Sequence, residues 1–206
     1  MAIHKDFPSS PHEILKPEVR WFPADESLRD TSYEKLMPPL VPELRKAVEK
    51  WRVDGYPAIS NTSKTLLNHW FNTPHPIIHA DGTTSNFPYY FAQREAVETI
   101  IYLHEAVKVA DKYDLLRFSK SDAVSAQLFE ETWRRYVVKM ATGSGKTKTM
   151  SLILAWSYFH RKYEERSDLS KNFLVIAPNI IVLDRLRNDF DGLRIFAEDP
   201  VIPSNG

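Results

Sequence analysis

Apolar positions change period several times along the chain. Over Val41 to Asp54, Leu44, Ala47, Val48 and Trp51 recur at helical spacing, Pro42 suits a first helical turn and Gly55 suits the stop, so a helix is predicted there. A second short helix is predicted with Thr62 or Ser63 near its cap and Leu66, Leu67, Trp70 and Phe71 on its buried side. Residues 72–88, with three prolines and Asp81-Gly82, read as a linker. Gln93 to Ala110 then places Ala96, Val97, Ile100, Ile101, His104 and Val107 on one helical face. Residues 111–134 are mixed, with a helical insertion around Ala123–Thr132.

The period shifts again at Tyr136-Val137-Val138-Lys139-Met140, a β-rich run that leads into Ala141-Thr142-Gly143-Ser144-Gly145-Lys146-Thr147. A helix is predicted from Lys146 to about Tyr163, its buried stripe spanning Met150, Ile153, Leu154, Ser157 and Tyr158. Phe173-Leu174-Val175-Ile176-Ala177 is a continuous apolar run, as in strands covered on both faces. A helix over Ile180 to Phe190 follows. Strand, helix, strand, helix argues for an α/β fold with a parallel sheet.

Composition changes the reading mainly before residue 89. Of the 14 prolines, 11 lie at or before Pro88, which disfavours long helices and sheet interiors. Residues 1–35 read as an extended arm that lies against a folded body through Phe7, Leu15, Val19, Trp21 and Phe22. The organisation expected is a proline-rich, irregular and helical extension over 1–88, then an α/β domain over 89–206. A hydrophobic content of 43% and a charged content of 26% are those of a globular protein. The absence of cysteine removes disulfides and thiolate metal sites and fits a reducing cytosol. No apolar run approaches the roughly 20 residues that span a bilayer, and no signal-peptide pattern opens the chain. With a formal net charge of zero, any nucleic-acid contact must rest on local groups.

The chemistry concentrates in the loop after Met140. In Thr142-Gly143-Ser144-Gly145-Lys146-Thr147 two glycines let the backbone wrap an anion, with amide hydrogens pointing inward at a helix N-terminus. Lys146 would reach the β- and γ-phosphates of ATP, and the Thr147 hydroxyl would bind Mg²⁺. The candidate nucleotide set is therefore Thr142, Gly143, Ser144, Gly145, Lys146, Thr147 and Lys148, with Lys146 and Thr147 catalytic. The general pattern has glycine where this chain has Met140. The plain alternative is a glycine turn before a basic helix start, which the strand–loop–helix setting disfavours.

Met140 to Thr147, M-A-T-G-S-G-K-T, resembles motif I of superfamily 2 (DEAD/DEAH-like) helicases, where the first glycine is often replaced. Gln93, in Phe91-Ala92-Gln93-Arg94-Glu95-Ala96, is similar to the Q motif of that family, whose glutamine reads the adenine edge. Its flanks, Tyr90 and Ala92, depart from the commonest form, and a solvent-facing helix-start glutamine is the alternative. Val175-Ile176-Ala177-Pro178-Asn179 resembles motif Ia, which contacts the backbone of a single strand. Pro178 and Asn179 would lie at the carboxyl edge of the sheet, where ligands bind. Arg185, Arg187 and Arg194 follow within reach of phosphates, or else form a solvated helix face.

Within the superfamily the chain looks most like the start of the Res subunit of type III restriction enzymes. The stretches that carry this are His12 to Glu18, Pro38-Pro39-Leu40-Val41, Tyr89 to Glu98 and the two motifs above. The resemblance implies a partial RecA-like domain and an ATP- and Mg²⁺-dependent helicase or translocase on DNA. It also implies a modification or specificity subunit as partner, and an endonuclease activity in the full-length protein. An acidic Walker B strand and a second RecA-like domain are missing. Ile195-Phe196-Ala197-Glu198-Asp199 has neither the preceding apolar strand nor the acidic order required. The expectation is thus a piece of a longer protein that binds ATP weakly and does not hydrolyse it efficiently alone.

Other constellations carry less. His69, His75 and His79 crowd together, but Pro74 and Pro76 prevent helical presentation of His75 and His79, and only Asp81 lies close by. Trp21, Trp51, Trp70, Trp133 and Trp156 could stack bases, yet Trp51 and Trp70 fall on predicted buried faces. A P-loop enzyme of another class, such as a small-molecule kinase, is the competing function. It would need neither Gln93 nor a strand-binding loop.

Overall fold

The computed structural model describes residues 10–16, 27, 40–119 and 135–203. The expected insertion at 123–132, and Phe7, Val19, Trp21, Phe22 and Trp133, lie outside the described residues. The chain divides into two compact units, one of residues 1–58 and 98–138 and the other of residues 59–97 and 139–206.

In the first unit, α1 spans Val41–Val53, with Pro42 at its start, Glu43 in the first turn and Lys50 and Arg52 in the last, an order that suits the helix dipole. Val48 and Trp51 are buried, as their spacing predicts. The chain leaves α1 through left-handed residues: Gly55 at φ +77°, Tyr56 at +58° and Ala58 at +62°. This turn is held by Trp51, whose Nε1 donates to the Pro57 carbonyl at 2.8 Å and whose ring meets Tyr56 edge-on at 4.8 Å. Leu103, Val109 and Phe118 form a core that Leu44, Ala47 and Leu115 pack against. α4, Lys112–Leu115, is started by a reciprocal capping box between Asp111 and Asp114.

In the second unit, α2 spans Asn61–Asn72 and is capped by Ser60, whose hydroxyl accepts from the Ser63 amide. Leu66, Leu67 and Trp70 are buried and Phe71 is half-buried. α5, Lys146–Tyr163, packs on α2 through a 2.7 Å bond from Trp156 Nε1 to Ser63 Oγ. At its far end Glu164 accepts from the amide and hydroxyl of Thr62. α6 spans Ile180–Phe190 and α7 Arg194–Glu198. α3, Phe91–Ile101, starts in this unit, and the unit boundary falls after Val97. It continues as a π-helical turn over Tyr102–Ala106.

Three expectations are corrected. No parallel sheet is seen among the described residues, whose sheet has two antiparallel strands, β1 (Pro76–Ile78) and β2 (Thr84–Asn86). Residues 136–140 and 173–177 carry no ladder, though Phe173 to Ile176 alternate between 43, 85, 39 and 81% exposed, the period of an extended segment. An apolar run gives the tendency to form a strand but not the neighbour that completes it. Second, the expected linker holds this hairpin. Asp81 accepts from the amide and hydroxyl of Thr83, and Gly82 takes φ +81° at the turn. Third, the buried face of α5 is Leu152, Ala155, Trp156 and Phe159, while Tyr158 is exposed. Ser151 and Ser157 lie on that face because their hydroxyls bond to the Lys148 and Ser170 carbonyls. Among the described residues no helix is long and apolar enough to cross a membrane.

Candidate nucleotide site

The loop before α5 has the backbone its glycines foretell. Gly143 and Gly145 both take φ +81°, in the left-handed region that side chains disfavour. The Ser144 hydroxyl donates to the Ala141 carbonyl at 2.7 Å and closes the loop beneath them. Gly145 is the residue before α5, so the loop runs into the helix end whose first amides have no intrahelical partner. Thr142 and Lys146 are exposed and Ser144, Gly145 and Thr147 are half-buried.

Lys146 reaches back over the loop. Its amine donates to the Met140 carbonyl at 3.0 Å and the Ala141 carbonyl at 2.8 Å. A cation held by two neutral carbonyls can exchange them for a phosphate oxygen, because charge-assisted hydrogen bonds are the stronger ones. The left-handed glycines, the open helix end and Lys146 together suit a polyphosphate.

Gln93 is buried, 5% exposed, and so does not face solvent. Its Oε1 accepts from the Tyr90 amide at 2.9 Å and its Nε2 donates to the Ser144 carbonyl at 3.3 Å. A Cβ on Gly145 would collide with the Gln93 amide nitrogen, so glycine there meets both a backbone and a space requirement. Two segments read separately from the sequence thus meet.

Lys148 is engaged elsewhere. Its amine pairs with the Asp199 carboxylate and lies 5.3 Å from the centre of the Phe87 ring. Burial pulls its pKa below the ordinary lysine value, against the opposing charges of Asp189 and Glu198. The roles of Asp199 and Tyr90 carry no sequence signal, since one acts across a long chain separation and the other through its backbone.

The segment after the second apolar run is less assembled. Pro178, Asn179 and Arg185 are exposed. The Asn179 side chain accepts from the Val182 amide at 3.0 Å and caps α6, a role that leaves its carboxamide oxygen occupied. Arg187 is exposed, and Arg194 bonds to Glu198 at 2.7 Å one turn on. Among the three histidines, a ring nitrogen of His75 meets the His69 carbonyl and one of His79 meets the Ser85 hydroxyl.

The family model described as "Type III restriction enzyme, res subunit" matches residues 87–202. That span holds Gln93, the glycine loop, α5 and α6. No curated protein and no solved structure matches the chain.

Proposed function

Since this chain belongs to the type III restriction enzyme res subunit family, of helicase-like ATP-dependent nucleic-acid enzymes, we propose that it forms the ATP-binding part of a DNA translocase or helicase. The observation that carries this reading is the bond from Gln93 to the Ser144 carbonyl, which puts an amide side chain beside the phosphate loop. A kinase of another class has no use for that contact.

In this reading the loop amides from Thr142 to Thr147 cradle the phosphates of ATP, and Lys146 leaves the Met140 and Ala141 carbonyls to neutralise the β- and γ-oxygens. Thr147 would hold Mg²⁺, which when bound would supply charge neutralisation at the transferred group. Gln93 offers one donor and one acceptor to an adenine edge. Pro178, Asn179 and Arg185 approach a nucleic-acid backbone, with Asn179 presenting the α6 amide end and Arg185 its charge. Cutting of DNA and a modification or specificity partner belong to the same proposal.

The test is nucleotide binding by the 206-residue chain, wild type beside Lys146→Ala, with a fluorescent ATP analogue and Mg²⁺. Binding by the wild type that falls at least about tenfold in the variant is expected, as for loss of a charge-assisted contact. Equal binding by both would remove the phosphate role of Lys146 and the proposal with it.

A further inference from the structure

Three consecutive residues beyond α7 grip separate parts of the second unit. The Asp199 carboxylate pairs with Lys148 in the first turn of α5. The Pro200 carbonyl accepts from the Tyr89 hydroxyl at 3.1 Å, and the Val201 carbonyl accepts from Trp70 Nε1 at 2.8 Å. Val201 is fully buried and Tyr89 and Trp70 nearly so.

These contacts close a circuit. Tyr89 precedes Tyr90, whose amide holds Oε1 of Gln93. Nε2 of Gln93 holds the Ser144 carbonyl of the phosphate loop, and that loop runs into α5, where Lys148 returns to Asp199. Every member is a side chain or backbone group of the second unit. Two of the links, Tyr89–Pro200 and Lys148–Asp199, flank the Gln93–loop contact on either side, one on each of the segments it joins.

We propose that Asp199, Pro200 and Val201 form a strap that positions Gln93 against the phosphate loop through Tyr89 and Lys148, and so sets the adenine preference of the site. Lys148 is then a positioning residue and not a phosphate ligand. This deepens the nucleotide-binding reading and depends on it. The strap follows α6 and α7 in the chain, so it also joins the proposed strand-binding segment to the nucleotide site by an ordered connection.

The test compares ATP, GTP and inorganic tripolyphosphate, each with Mg²⁺, as ligands of wild type, Gln93→Ala, Tyr89→Phe, Asp199→Asn and Lys148→Met. Tyr89→Phe keeps the ring against Phe71 and Phe87 and removes only the hydroxyl. The double variant Lys148→Met with Asp199→Leu removes both charges, so that neither half-buried charge is left without its partner. The expected result is that strap variants lower the preference for ATP over GTP by about threefold to tenfold, the range for one lost hydrogen bond, with tripolyphosphate affinity kept. Lys148→Met and Asp199→Asn should be non-additive in that ratio.

An adenine preference that Gln93→Ala abolishes but Tyr89→Phe and the double charge variant leave intact overturns the strap alone. Loss of tripolyphosphate binding in Lys148→Met but not in Asp199→Asn makes Lys148 a phosphate ligand and overturns it too. Absence of ATP binding by the wild type overturns the nucleotide reading, and the strap proposal falls with it.

Discussion

Gly143 and Gly145 share one backbone conformation and differ in what surrounds them. Both sit at φ +81°, where a Cβ costs about 1–2 kcal/mol. Around Gly143 nothing lies within 4 Å of an added Cβ, whereas at Gly145 that atom meets the Gln93 amide. Gly143→Ala therefore reads the strain alone and Gly145→Ala reads strain plus collision. Thermal unfolding should show the second variant less stable than the first, and Gln93→Ala in the Gly145→Ala background should recover part of the difference. Equal melting temperatures for the two alanine variants would mean that the Gln93 side chain moves aside freely. The left-handed glycine turn was legible because its residues are adjacent in the chain, whereas the approach of Gln93 to it joins positions far apart in sequence. Lys148 shows the limit: its charge beside the loop suggests phosphate, and only the fold reveals Asp199 as its partner.

Glu98 illustrates what spacing conceals at the scale of elements. It is fully buried, and α1 supplies the partner: Arg52 Nε lies 2.7 Å and Nη2 2.6 Å from Oε2, while the Tyr56 hydroxyl donates to Oε1 at 2.6 Å. A helical wheel marks such a glutamate as solvated, because the wheel cannot see a guanidinium brought in from another helix. A buried pair of this kind adds little net stability but is expensive to break on one side. Glu98→Ala should destabilise the fold by ~3–5 kcal/mol in chemical denaturation, since it strands the Arg52 charge. The double variant Arg52→Met with Glu98→Leu should recover most of that loss. If the double variant is as unstable as Glu98→Ala, the pair contributes more than charge compensation. The helices α1, α5 and α6 were legible within a residue or two at their ends, since caps and period agree locally, while α2 was legible by its buried face but is capped by Ser60 and not by Thr62 or Ser63. The hairpin at β1 and β2 was hidden by the prolines around it, and the face of α5 by serines that bury their hydroxyls on backbone carbonyls.

For the molecule as a whole, the family and the described architecture speak to different parts of the fold. The family match spans residues 87–202 and implies a RecA-like fold, yet the runs at 136–140 and 173–177 stand without ladder partners among the described residues. A parallel strand is defined by neighbours distant in sequence, so its pattern is legible while its pairing is not. Stability of the whole chain offers a check on the packing that is present. His69, on α2, has Nε2 buried with no hydrogen-bond partner among the described residues. Burial lowers its pKa, the His75 ring at 4.6 Å lowers it further, and only the Pro200 carbonyl opposes. A base whose folded pKa is depressed stabilises the fold above its unfolded value, because the unfolded chain takes up the proton first as pH falls. The contribution of His69 is thus present above pH 6.5 and is lost as pH falls from there through its lowered folded value. Asp81 and Asp114, held below the usual carboxylate value of 3.8 by hydrogen bonds from Thr83 and from the Ala110 amide, act in a separate, more acidic window. At the other end burial raises the Tyr89 hydroxyl, whose contribution is present below pH 10.0 and lost above it. The melting temperature should therefore decline as pH falls below 6.5, and His69→Leu, which removes the titration but keeps an apolar side chain, should flatten that decline while leaving the alkaline limb unchanged. Parallel curves for variant and wild type across the acidic limb would assign the loss to another group and show that His69 is not held neutral by the fold.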